Sequence, residues 1–130
     1  MMVSDILKLN TVNDLKEVIV DFSSADEQRQ YKSSVPYVHI PIEIIEQLSD
    51  QVRMLDECKW YAELYEISEI DKLKDFYQFC KKETKKYGKQ FPDVPEILST
   101  KIWQDVMSEA QTLRSDLLPK IEKLVNSFNA

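Results

Sequence analysis

The sequence predicts a mainly α protein: a single-domain helical bundle with an antiparallel helical hairpin at its centre. Three observations predict it. Only one of the 130 residues is glycine, Gly88, and glycine is the usual residue for the positive φ of tight turns and hairpins. Apolar residues recur three and four apart over most of the chain, the spacing of one helix face. Ser and Thr with an acid three residues later punctuate those stretches, as at helix starts.

The first helix is expected to open at Thr11, with Asp14 completing a capping box, and to turn Val12, Leu15, Val18, Ile19 and Phe22 inward. Val18-Ile19-Val20 is also a β-branched run. It leaves a strand over about 17–22 as the rival reading. Ser24 with Glu27 opens a short polar helix through Lys32. The next segment, Pro36-Tyr37-Val38-His39-Ile40-Pro41, has prolines five apart with β-branched residues between them, and is read as extended. A minor two-stranded β element, about 17–22 with 35–40, is the corresponding expectation.

Pro41 suits a helix start, where its missing N–H costs nothing. Ile45, Leu48, Val52 and Leu55 follow on one stripe. The pattern runs on through Cys58, Tyr61, Leu64 and Tyr65, predicting one helix of about 25 residues that ends near Glu66. Ser68 with Asp71 caps its hairpin partner, whose face is Ile70, Leu73, Phe76, Tyr77 and Cys80, and Gly88 ends it. After the turn Phe91-Pro92-Asp93-Val94-Pro95, residues Pro95–Leu98 add one helical turn. Ser99 or Thr100 then caps a helix carrying Ile102, Val106, Ala110, Leu113 and Leu117, and Pro119 either kinks it or starts another with Ile121, Leu124, Val125 and Phe128.

Composition excludes several function classes. One glycine cannot make G-x-G-x-x-G or G-x-x-x-x-G-K, so the glycine-rich nucleotide loops are absent. The formal charge of −6 offers no general attraction to nucleic acid or anionic lipid. No run of about 18 apolar residues occurs, so no membrane span is expected. Met1–Asn10 lacks a basic segment followed by an apolar one, and two cysteines without a leader suit a reducing, cytoplasmic setting.

The candidate chemistry is sparse. His39 is the only histidine, and Cys58 and Cys80 lie among apolar helical positions, where cysteine behaves as a small hydrophobe. Neither a catalytic pair nor a zinc set of four ligands is expected. Glu43 with Glu46, and Glu63, Glu66 and Glu69, repeat at helical spacing, as paired carboxylates that hold Mg²⁺ do. Carboxylate–metal hydrolysis is therefore the alternative to a non-catalytic reading. No resident metal, cofactor or small-molecule ligand is identifiable.

Charge is segregated along the chain. Residues 1–68 hold 13 acids and 6 bases, and residues 69–130 hold 10 acids and 11 bases. Lys81, Lys82, Lys85, Lys86 and Lys89 form the densest basic stretch, flanked by Phe79, Tyr87 and Phe91. They suit either a helix C-terminus or a phosphate-contacting patch, the latter making the chain a helical subunit of a nucleoprotein complex. Aromatics crowd the hairpin. Adjacent Trp60 and Tyr61 diverge by about 100° on a helix and cannot share one stripe. Trp60, Tyr61, Tyr65, Phe79 and Trp103 are accordingly candidates for a partner-binding or self-association surface. The resulting expectation is a small acidic protein-interaction module: an adaptor, an immunity-type inhibitor or an assembly subunit, with a homo-oligomer included.

Overall fold

A computed structural model of the chain describes residues 3–129. Among them are six α-helices: α1 (Asp5–Ser23), α2 (Ala25–Ser34), α3 (Ile40–Glu57), α4 (Lys59–Ala62), α5 (Ile67–Thr84) and α6 (Lys101–Asn129), with 3₁₀ turns at Lys85–Tyr87 and Glu96–Ser99. None is long and apolar enough to cross a membrane.

α1 begins well before Thr11. The Ser4 hydroxyl caps it, accepting from the Leu7 N–H at 3.1 Å, while Thr11 lies inside the helix and donates its own hydroxyl to the Leu7 carbonyl. Val12, Leu15, Val18, Ile19 and Phe22 are buried as their spacing predicts. The β-branched run stays helical for an energetic reason. Each such residue gives up about 0.5 kcal/mol of helix propensity, whereas burying Val18 and Ile19 returns roughly 1.5–3 kcal/mol apiece.

The two-stranded β element is not formed. Residues 17–22 belong to α1, and among the described residues there is no strand. The proline-flanked segment is a turn instead: the Val35 N–H donates to Tyr31 O and the Val38 N–H to Val35 O, so these donors close local loops. Ser24 serves two helices, ending α1 and capping α2 through a bond from the Glu27 N–H.

α3 starts with Pro41 in its first turn, but its buried stripe is Ile40, Ile44, Leu48, Gln51 and Leu55; Ile45 and Val52, expected inside, are only half-buried. The helix then breaks at Cys58, which is extended, rather than running to Glu66. The reason is Tyr61. Its fully buried hydroxyl donates to Gln51 Oε1, and in one continuous helix those residues would stand about 15 Å apart along the axis. Breaking the helix lets Tyr61 fold back into the core. α5 is capped by Glu66 rather than Ser68: the Glu69 carboxylate accepts from the Glu66 N–H at 2.8 Å in a reciprocal capping box. Gly88 follows the 3₁₀ turn at φ +62°, the chain's one positive φ among the described residues, a conformation that favours glycine.

Thr100 caps α6, accepting from the Trp103 N–H. α6 passes through Pro119 without ending. The backbone bond lost there costs about 3 kcal/mol or more in a helix interior, but Leu117 and Ile121 on either side are buried and keep the segment in register. α6 packs chiefly along α1 and next along α5. At the centre, Phe22 meets Phe76 edge-to-face at 5.1 Å and lies against Trp103 at 5.9 Å.

Candidate interaction surface

The sequence-predicted aromatic set divides. Trp60, Tyr61 and Tyr65 do come together, with ring centroids 5.5 and 5.3 Å apart in succession. Tyr61 is sealed in the core, however, and so is Trp103 on α6, so neither presents surface to a partner in this fold. Trp60, Tyr65 and Phe79 are half-buried and packed against the core. Burial pushes the Tyr65 hydroxyl up to about 12 and the Cys80 thiol also to about 12, which leaves both protonated at neutral pH.

The two buried rings have polar handles, and each handle found a partner. Trp103 Nε1 donates to Gln28 Oε1 at 2.9 Å, and Gln28 Nε2 donates to the Asp21 carbonyl at 2.8 Å. Gln28 is fully buried. This clasp ties the end of α1 and the start of α2 to α6. Buried polar groups are costly only when unpaired, so the clasp is compatible with a dense core.

The lysines remain exposed. Lys81, Lys82, Lys85, Lys86 and Lys89 surround the C-terminal end of α5 and the loop after it. Lys81 lies over the Tyr77 ring at 5.0 Å, and Lys86 pairs with Glu83 at 2.7 Å. Cations here complement the helix dipole. The paired carboxylates are largely occupied. Glu66 and Glu69 build the cap of α5, Lys120 reaches Glu69 at 3.6 Å, and Lys59 reaches Glu63 at 3.8 Å. Among the described residues no three His, Cys, Asp or Glu side chains form a set that could hold a metal ion.

A different feature emerges on α1, α2 and α3. Asp14, Glu17 and Asp21 are spaced three and four apart, on the side of α1 away from its buried face. The turn at Ser24 swings α2 round so that Glu27 joins them, and α3 supplies Gln47 and Asp50. Open depressions that share Glu17 run along this face, with Asp21 and Glu27 lining two of them; Lys16 and Arg53 are their only basic lining residues. Arg53 is already paired with Asp50 at 3.1 Å. Among the described residues, Asp14, Glu17, Asp21 and Glu27 have no ion-pair partner within 4.0 Å. Asp21 registers the crowding: burial first, then the charges of Glu27 and Glu17, raise its carboxyl to about 6.

Sequence reasoning assigned Asp14 to a helix cap and so missed this stripe. Its signal was the three-four spacing, hidden because α1 begins before Thr11. No protein family, curated protein or solved structure matches this chain.

Proposed function

We propose that the chain is a non-catalytic protein-interaction module and that its acidic α1–α2–α3 face receives a basic segment of a protein partner. One observation carries the reading: half-buried Asp21 is crowded by Glu17 and Glu27, and among the described residues none of the three has an ion-pair partner within 4.0 Å, although Lys16 lines the same depression. Such an arrangement raises the energy of the free protein, and a partner's Lys or Arg lowers it again, so repulsion becomes binding energy and selectivity. Half-buried Met54 and Tyr31 along the same face add apolar contact. Adaptors, immunity-type inhibitors and assembly subunits all fit this description. We also read α3 and α5 as the antiparallel central hairpin. The order of its cross-links supports this, since Ser49 meets Tyr77 while the later Asp56 meets the earlier Lys74.

The test uses a Lys/Arg-rich model peptide, amide chemical shifts and calorimetry. Shifts are expected to concentrate on α1, α2 and the middle of α3, and E17Q/D21N/E27Q is expected to weaken binding about tenfold, the worth of a few partly exposed ion pairs. Shifts scattered over the whole surface, or affinity unchanged in the triple variant, would refute the assignment. Sedimentation of the free chain checks a second copy as the occupant. Self-association that persists in the triple variant would place the contact elsewhere.

A further inference from the structure

The segment between α2 and α3 is held by a second polar cluster, which shares no residue with the site above. Lys32 Nζ donates to the carbonyls of Pro36 and Val38 at 2.7 and 2.8 Å and to Asp93 Oδ2 at 2.6 Å. Asp93 Oδ1 accepts from the N–H groups of Ile40 and Val94 at 3.0 and 2.7 Å. His39 completes the junction. Its Nδ1 accepts from the Ile42 N–H at 3.2 Å and so caps α3, while Nε2 lies 3.0 Å from the Phe91 carbonyl, with the ring edge-to-face on Phe91.

Those two bonds are compatible with one form of the ring. An acceptor at Nδ1 and a carbonyl at Nε2 are satisfied together only by neutral imidazole with its proton on Nε2. Imidazolium carries a proton on both nitrogens. Its Nδ1–H would face the Ile42 N–H, donor against donor, at the positive end of an 18-residue helix. We infer that proton uptake at His39 is a built-in switch that uncaps α3 and loosens the Pro36–His39 link from the Phe91–Asp93 segment.

The charged groups on the elements around the ring are Lys32, from α2, Asp93, from the loop before the second 3₁₀ turn, and Glu43, in the first turn of α3. Both Asp93 oxygens are already engaged, by Lys32 and by the two backbone N–H groups. For Asp93 to receive the imidazolium, the ring must turn out of its capping position. Retained in place, the charged ring repels the helix start; turned toward Asp93, it abandons both bonds. Either route opens the same junction, and Lys32 with Asp93 limits the opening to its neighbourhood.

The experiment is an NMR titration of the full chain from pH 8 to pH 5, where imidazole changes charge. It follows the His39 ring signals and amide-exchange protection corrected for intrinsic exchange. Protection of the Ile42 N–H is expected to fall about tenfold, the equilibrium worth of one side-chain cap, with the same midpoint as the ring signals. Protection at Leu48 and Val106 in the core is expected to hold. H39N, whose amide caps without titrating, is expected to keep Ile42 protected throughout. Titration of the ring without loss at Ile42 would overturn the switch, as would a ring that stays neutral to pH 5. A pH-dependent loss that persists in H39N would also overturn it; should H39N fail to fold, the wild-type midpoints decide alone.

Discussion

The Gln28–Trp103 clasp and the acidic face of α1–α2–α3 sit on opposite surfaces of the same turn of chain. Asp21 belongs to both: its backbone carbonyl accepts from Gln28 inside, and its carboxylate joins Glu17 and Glu27 outside. Inside, polar atoms taken from water meet partners at 2.8 and 2.9 Å. Outside, like charges gather with no cation paired to them among the described residues. The clasp pairs its own polar atoms while the surface stripe leaves like charges in mutual repulsion; elsewhere in the interior, among the described residues, the Tyr65 hydroxyl is buried without a hydrogen-bond partner.

The largest effect should come from breaking the inner half of that comparison. Trp103→Ala removes a fully buried ring and is expected to cost about 3–5 kcal/mol. Trp103→Phe keeps ring volume but strands Gln28 Oε1, costing about 1–3 kcal/mol. Gln28→Ala should cost a similar amount, and the Phe/Ala double variant less than the sum, because both singles lose one shared bond. Urea unfolding of the four variants measures this; strict additivity would mean that the clasp is not a unit.

Much of the helical layout was legible in the sequence, because the three-four apolar spacing of Val12–Phe22, Leu73–Cys80 and Val106–Leu117 is local information. What was not legible depends on partners far along the chain. The break at Cys58 exists because Tyr61 must reach back to Gln51. Trp103 was a surface candidate until Gln28, 75 residues away, supplied the acceptor that lets an indole be buried. The acidic face was half legible: Asp14, Glu17 and Asp21 are written in helical spacing, but Glu27 joins them only through the turn at Ser24. The basic stretch, Lys81–Lys89, was legible outright because surface lysines need no tertiary partner.

Asp93 offers a middle-sized test, since it is the counter-example to Asp21: a carboxylate with partners. Burial alone would raise its pKa, but the Lys32 bond, the Val94 and Ile40 N–H groups and the field of His39 outweigh that and hold it below the usual range. Its contribution is therefore present above the unfolded carboxyl value near 3.9 and is lost as pH falls through the lower folded value. Asp93→Asn keeps one acceptor but loses the charge, and should cost about 1–2 kcal/mol at pH 7. The deficit should shrink as acid titrates the wild type. A deficit that is constant from pH 7 to pH 3 would show that the charge is not what matters.

Asp21→Asn should give the smallest change and the opposite sign. The folded carboxyl is raised to about 6, above the unfolded value near 3.9, so the native state binds the proton more tightly. Wild-type stability must then fall as pH rises from about 4 through about 6. Asparagine removes that slope and leaves the backbone carbonyl free to accept from Gln28. Because the side chain is only half-buried, water and salt blunt the gain. The variant is expected to be slightly more stable than wild type at pH 7.5, and the advantage should disappear toward pH 4 and shrink in 0.5 M salt. Thermal melts across that grid measure it. If Asp21→Asn also weakens the basic peptide, one carboxylate both costs the free protein stability and contributes to binding. A variant that is destabilised at pH 7.5, or indifferent to pH, would mean that Asp21 is already compensated and that the outer half of the comparison fails.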